Sequence, residues 1–182
     1  MKKGAQKGRG FTVIEVSLVL AIAGLIFLMV FITFPTLQRN QRDAKRRSDM
    51  MELEAAIEKY QSNNRGMLPS LNDGLAIVTS YTDADAANSW AGFYRDYLPD
   101  PFKDPSGGQY VLKVAKCGAT AGSCTGKAAE VLAGLTDEAN QYNVAIIVQA
   151  TCNNEEAVGT ANPRKLAILY KLEGGGIYCG SI

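Results

Sequence analysis

The chain has 182 residues, 47% of them hydrophobic, and no histidine, which leaves room for one domain plus a membrane segment and removes the commonest general base and metal ligand. Its formal net charge of +1 falls to −3 without the four basic residues of the first ten positions, and from Gly66 onward twelve acidic residues face eight basic ones. An acidic outer part argues against direct DNA binding, which calls for a basic face.

The chain opens on a basic leader, with Lys2, Lys3, Lys7 and Arg9. Gly10-Phe11-Thr12-Val13-Ile14-Glu15 follows, and Val16–Phe34 is nineteen residues without a charge, long enough to span a bilayer as a helix. Glu15 is the outlier. An ionised carboxylate is costly in hydrocarbon, so at this depth it marks a functional site by default. The apolar run ends in Thr36-Leu37-Gln38-Arg39, with no Ala-x-Ala-like site for ordinary signal peptidase. The leader charges are nearly balanced by Arg39, Arg42, Lys45, Arg46 and Arg47 beyond the span, so charge alone does not settle the orientation. Ser17, Ala21 and Gly24 fall at i, i+4 and i+7 and give the span a small-residue face, which lets helices approach closely in lipid.

Pro35 lacks an amide hydrogen and clashes with the preceding turn, so a kink or local break is expected there. Over 36–62 the spacing predicts an amphipathic helix, with Met50, Leu53, Ile57 and Tyr60 on one side and Glu54 and Glu58 on the other, ended by Asn63-Asn64-Arg65-Gly66. A continuous helix from Phe11 would be roughly 75 Å long.

Residues 63–108 read as a long loop, with a short helix expected at Leu71–Thr79 and turn chemistry at Leu98–Pro101 and Asp104–Gly108. Trp90, Phe93, Tyr94 and Tyr97 form an aromatic cluster expected to pack on the sheet. Asp96, Asp100 and Asp104 recur every four residues. That spacing raises calcium, but turn formation and solvated charge are the stronger reading, and no metal or cofactor is expected.

Strands are expected at Gln109–Ala115, Tyr142–Gln149, Leu166–Glu173 and Ile177–Cys179, giving a sheet over 109–182 whose open face helix 50–60 would cover. Tyr142–Gln149 is apolar on both faces, as a central covered strand would be. Cys117, Cys124, Cys152 and Cys179 all follow the apolar span. They read as two disulfides with three possible connectivities, of which sequence proximity favours Cys117–Cys124 with Cys152–Cys179. There is no Gly-x-Ser-x-Gly elbow and no histidine base, so catalysis is unsupported.

The leader followed by Gly10-Phe11-Thr12-Val13-Ile14-Glu15 resembles the processing site of type IV prepilins, shared by pilins, pseudopilins and related filament subunits. Gly24 matches a common pilin glycine. The resemblance implies an α+β fold: a long N-terminal helix, membrane-spanning in its first half and amphipathic in its second, packed on a small antiparallel sheet. It implies a leader at 1–10, an assembly helix at 11–35 and a head at 36–182. It further implies cleavage between Gly10 and Phe11 by a prepilin peptidase that also N-methylates Phe11, with the leader inside. An inner-membrane platform would then build the mature subunit into a homo-oligomeric helical filament. Pro35 lies about three residues later than the usual pilin proline.

Cleavage would place a new amine on Phe11, and Glu15 would pair with the amine of a neighbouring subunit. Three functions are thus carried forward. The first is a structural subunit of an extracellular type IV pilus for adhesion, motility or DNA uptake. The second is a pseudopilin or minor pilin of a type II secretion or competence system. The third is a single-pass membrane-anchored enzyme or sensor.

Overall fold

A computed structural model describes residues 10–71, 74–78, 88–99, 101–118, 122–136 and 142–182. Helix α1 (Val13–Asn63) runs helically through Pro35, so the helix is not broken there. Two compact units divide the chain, residues up to Asn40 and Gln41–Ile182. In the first, α1 is long and apolar enough to cross a membrane, and none of its most apolar stretch is buried. Phe11, Leu18, Phe27 and Phe31 are all exposed, with Phe31 at 75%. A soluble domain does not leave such a surface open to water, so a membrane or a partner covers it.

In the second unit α1 is amphipathic, and Met50, Leu53, Ile57 and Tyr60 are buried. It ends where Gly66 adopts φ 76° and its amide donates to the Gln61 carbonyl at 2.7 Å, a glycine stop of the expected kind. The elements that follow are β1 (Leu75–Val78), α2 (Trp90–Tyr97), β2 (Val111–Lys116), β3 (Gly122–Ser123), α3 (Lys127–Ala133) with a 3-10 turn at Gly134–Thr136, β4 (Asn143–Val148), β5 (Ala150–Asn153), β6 (Glu156–Gly159), β7 (Leu166–Lys171) and β8 (Ile177–Ser181). The α+β class expected from the sequence is the class observed.

The large sheet has the order β1-β2-β4-β7-β8 and the small one β3-β6-β5. Every pairing is antiparallel except β2 with β4, which runs parallel from Val111↔Asn143 to Lys116↔Val148. A parallel pair needs a crossover long enough to hold a helix, and α3 lies in that connection. This one parallel pair departs from the small antiparallel sheet that the resemblance implies, and α3 stands where no helix is expected, although Lys-Ala-Ala-Glu-Val-Leu-Ala is made mostly of strong helix formers. The short helix expected at Leu71–Thr79 is corrected as well: Leu75–Val78 is an edge strand paired with β2. A four-residue apolar run carries no periodicity to tell helix from strand.

The large sheet is covered on both faces rather than one. Leu112, Val114, Val144, Ile146, Ile168 and Tyr170 face α1 and α2 in the first core. Ala115, Ala145, Ile147, Ala167 and Leu169 face α3 and the small sheet in a second. Two-sided cover explains why β4 is buried at every residue. The aromatic cluster lies on α2, capped by Ser89, with Trp90, Phe93 and Tyr94 buried and the Phe93 and Tyr60 rings edge-on at 5.8 Å. Disulfides join Cys117 to Cys124 and Cys152 to Cys179.

Candidate functional site: the capped helix end and the buried arginine

The start of α1 is a reciprocal cap. The Glu15 amide donates to Thr12 Oγ1 at 3.4 Å, while the Thr12 amide and hydroxyl donate to Glu15 Oε2 at 3.0 and 2.9 Å. Thr12-x-x-Glu15 is the capping-box pattern, which satisfies amides that the helix leaves without partners. The carboxylate also lies at the positive end of the helix dipole. Its other oxygen, Oε1, has no hydrogen-bond partner among the described residues. Residues 1–9 of the leader lie outside them, while Gly10 and Phe11 are both exposed and Phe11 is 86% accessible.

Ser17, Ala21 and Gly24 are exposed on the apolar half of α1. Ser17 Oγ donates to the Ile14 carbonyl at 2.9 Å, so its hydroxyl is satisfied within the helix. A Cβ at Gly24 would meet no described atom within 4 Å, so nothing in this fold requires glycine there.

A second constellation lies in the head and was not read from the sequence. Arg46, 5% exposed, donates through Nε and Nη2 to Asp104 at 2.6 and 3.0 Å, through Nη1 to Asp43 at 2.9 Å and Glu173 at 3.2 Å, and through Nη2 to Ser106 at 3.0 Å. All five guanidinium hydrogens are thereby used, which is what makes a buried arginine tolerable. Arg42 pairs with Glu173, and Asp43 accepts from the amides of Glu173 and Gly174 at 2.9 and 2.7 Å. Tyr170 donates to Asp104 at 2.9 Å, and Tyr110 to Asp49 at 3.0 Å. The network binds α1 to the Asp104–Gly107 turn and to the β7–β8 hairpin.

Burial alone would raise the Asp104 carboxyl, but Arg46, the Ser106 amide and Tyr170 overcome it and hold it below the ordinary range. Arg42 brings Glu173 down to about 2. Burial pushes the Tyr110 and Tyr170 hydroxyls up, and the neighbouring carboxylates add to it. Of the calcium candidates, Asp104 is committed to Arg46, Asp96 pairs with Arg95 at 2.7 Å, and Asp100 lies outside the described residues. No group of three or more His, Cys, Asp or Glu side chains arranged to hold a metal is found among the described residues.

An exposed membrane-length helix with a capped glutamate near its start, continuing into a disulfide-bonded α+β head, defines the class of pilin-like subunits. The chain is 34% identical over 112 residues to the type II secretion system core protein G of Klebsiella pneumoniae, covering 59% of this chain and 75% of that protein. It is 35% identical to the core protein G of Vibrio cholerae over 60% of this chain and 73% of that one. To that of Escherichia coli K12 it is 34% identical over 60% and 74%. No protein-family model and no solved structure matches the chain. The chain belongs to the family of type II secretion system core protein G, a pseudopilin branch of the type IV pilin-like proteins. That family is made of structural subunits and not enzymes, which sets aside the membrane-anchored enzyme or sensor.

Proposed function

We propose that this chain is a pseudopilin, the repeating subunit of a helical filament in a type II secretion system. The relatives named above are secretion-system proteins, which favours this filament over a surface pilus for adhesion, motility or DNA uptake. In this reading residues 1–10 are a leader on the cytoplasmic side, 11–35 the membrane and assembly helix, and 36–182 the head. A prepilin peptidase cuts between Gly10 and Phe11 and N-methylates Phe11. An inner-membrane platform then lifts the subunit from the cytoplasmic membrane into the filament.

The observation that carries the reading is the bare apolar half of α1, with Glu15 at its start and Oε1 without a hydrogen bond among the described residues. Before assembly, lipid covers that surface and Thr12 shields part of the charge. After assembly, neighbouring helices cover it, and the Phe11 amine of an adjacent subunit takes Glu15. A misplaced subunit would leave that carboxylate buried without its partner, so the pair acts as a register device. The small face of Ser17, Ala21 and Gly24 serves close helix packing, consistent with a glycine the subunit itself does not need. A bend at Pro35 would let the helix adapt between lipid and filament.

Mass spectrometry of the membrane-extracted protein tests the reading. A mature chain beginning at methylated Phe11 is expected, whereas a chain retaining Met1 overturns it.

A further inference from the structure

β2, α3 and β4 form a strand–helix–strand unit, because β2 and β4 run parallel and α3 lies between them in the chain. Parallel units of this kind take ligands at the carboxyl ends of their strands, where the loops leave the sheet. A cavity of about 430 Å³ lies at that end of this unit. Lys116 closes β2, Cys117 and Gly118 follow it, Thr125 and Lys127 lead into α3, and Gln149 follows β4. The wall is braced. The Cys117 amide donates to the Val148 carbonyl at 2.9 Å, which ties the ends of β2 and β4 together, and Cys117 is bonded to Cys124 across the loop.

The charge at this cavity is of one sign. Lys116 and Lys127 are exposed, and no aspartate or glutamate among the described residues lines it, although acid exceeds base in the chain from Gly66 onward. Gln149 is the unusual member. It is 6% exposed, and its φ of 60° lies in the left-handed region that residues with a Cβ seldom adopt. Its backbone is fully engaged: the amide donates to the Lys165 carbonyl at 2.8 Å, and the carbonyl accepts from the Thr160 amide at 2.8 Å. The side-chain Oε1, by contrast, is buried with no hydrogen-bond partner. A strained backbone and an unpaired buried acceptor at one residue beside a cavity point to a ligand that supplies the missing donor.

We propose that this cavity binds an acidic peptide segment of a partner protein. The Lys116 and Lys127 ammonium groups take the carboxylate of an aspartate or glutamate side chain, and a backbone N–H of the same segment donates to Gln149 Oε1. Lysine suits the first task, because its ammonium is a point charge with three rotatable donors on a flexible stem. The two requirements together set the ligand class. A small dicarboxylate such as succinate offers acceptors to the lysines but no donor to the glutamine. A neutral peptide offers the donor but no charge. An acidic peptide offers both. The site lies on the head and is independent of the filament reading.

Isothermal titration calorimetry on the full chain in uncharged detergent micelles tests the proposal. The probe is an acetylated, amidated peptide of alternating aspartate and serine, with its asparagine–serine counterpart and succinate as comparisons. The acidic peptide is expected to bind at least about tenfold more tightly than either. Lys116→Gln/Lys127→Gln should weaken it at least about tenfold, whereas Lys59→Gln/Lys103→Gln, which do not line the cavity, should leave it unchanged. Gln149→Met keeps the length of the side chain and removes the acceptor. It should weaken the peptide about three- to tenfold and leave succinate unaffected. Thermal unfolding confirms that each variant is folded, and the exposed lysine pair carries the test if Gln149→Met is not. Succinate or the asparagine peptide binding as tightly as the acidic one would overturn the proposal. So would wild-type affinity in Lys116→Gln/Lys127→Gln, or a folded Gln149→Met that binds the peptide like wild type.

Discussion

Arg46 and Asp104, 58 residues apart in sequence, form a buried fork-to-fork pair in which Nε donates to Oδ2 at 2.6 Å and Nη2 to Oδ1 at 3.0 Å. The pair draws the Asp104–Gly107 turn onto α1 and gives Tyr170 its acceptor. Asp104→Leu leaves the guanidinium short of two of its five bonds in a dry site and should cost about 3–5 kcal/mol in denaturant unfolding of the detergent-solubilised chain. The double variant Arg46→Met/Asp104→Leu should recover at least about half of that loss, because it removes the stranded charge as well. Additive losses would show that the pair carries no special coupling.

Acid should loosen the same region. Arg42 holds the Glu173 carboxyl down at about 2 in the folded head, against an ordinary value of 4.5. Between those values the unfolded chain binds more protons than the folded one. The stabilisation is therefore complete above pH 4.5 and lost as pH falls toward 2. Glu173→Gln should lower stability at neutral pH and flatten this acid limb. An acid limb unchanged in slope would mean that Glu173 is not among the groups that drive it.

Much of this architecture was legible in the sequence. Asn143–Val148 and Leu166–Tyr170 are apolar runs of strand length, Gln109–Ala115 and Ile177–Cys179 are bounded by glycine turns, and the glycine stop near Gly66 is strong, so four strands and the end of α1 are legible. The Arg46 network could not. Its acidic partners stand in three separate segments, Asp43 on the helix, Asp104 in a turn and Glu173 just past the end of a strand, and Arg46 itself lies among other basic residues on what looks like a solvated helix face. Only Asp43, three residues earlier, hinted at it. Thr12-x-x-Glu15 has the spacing of a capping box, so the cap is written in the sequence even though the Glu15 charge points first to assembly. β1 is too short to show a period, and α3, two turns long, is too short to show a helical one.

The cap makes its own prediction. Thr12→Ala removes the side-chain acceptor for the Glu15 amide and the hydroxyl donor to its carboxylate. Hydrogen exchange at the first turn of α1 in micelles should quicken by about three- to tenfold. Thr12→Ser keeps both bonds and should leave exchange near wild type. Equal exchange in Thr12→Ala and wild type would show that the cap contributes nothing in solution.

Gly24 has open space around it within the subunit. Gly24→Leu and Ala21→Leu should therefore leave leader cleavage and head unfolding unchanged while lowering the cross-linked filament fraction at least about fivefold. Wild-type incorporation in both would rule out the small face as a packing surface.

The central claim is that the Glu15 carboxylate is an assembly residue, held by Thr12 in the free subunit and by a neighbour's Phe11 amine in the filament. Its most direct test is the cross-linked filament fraction of Glu15→Ala, measured on a population whose N-termini are confirmed to be cut after Gly10 and whose heads unfold like wild type. The prediction is normal processing with incorporation reduced to background; incorporation at the wild-type level would contradict it.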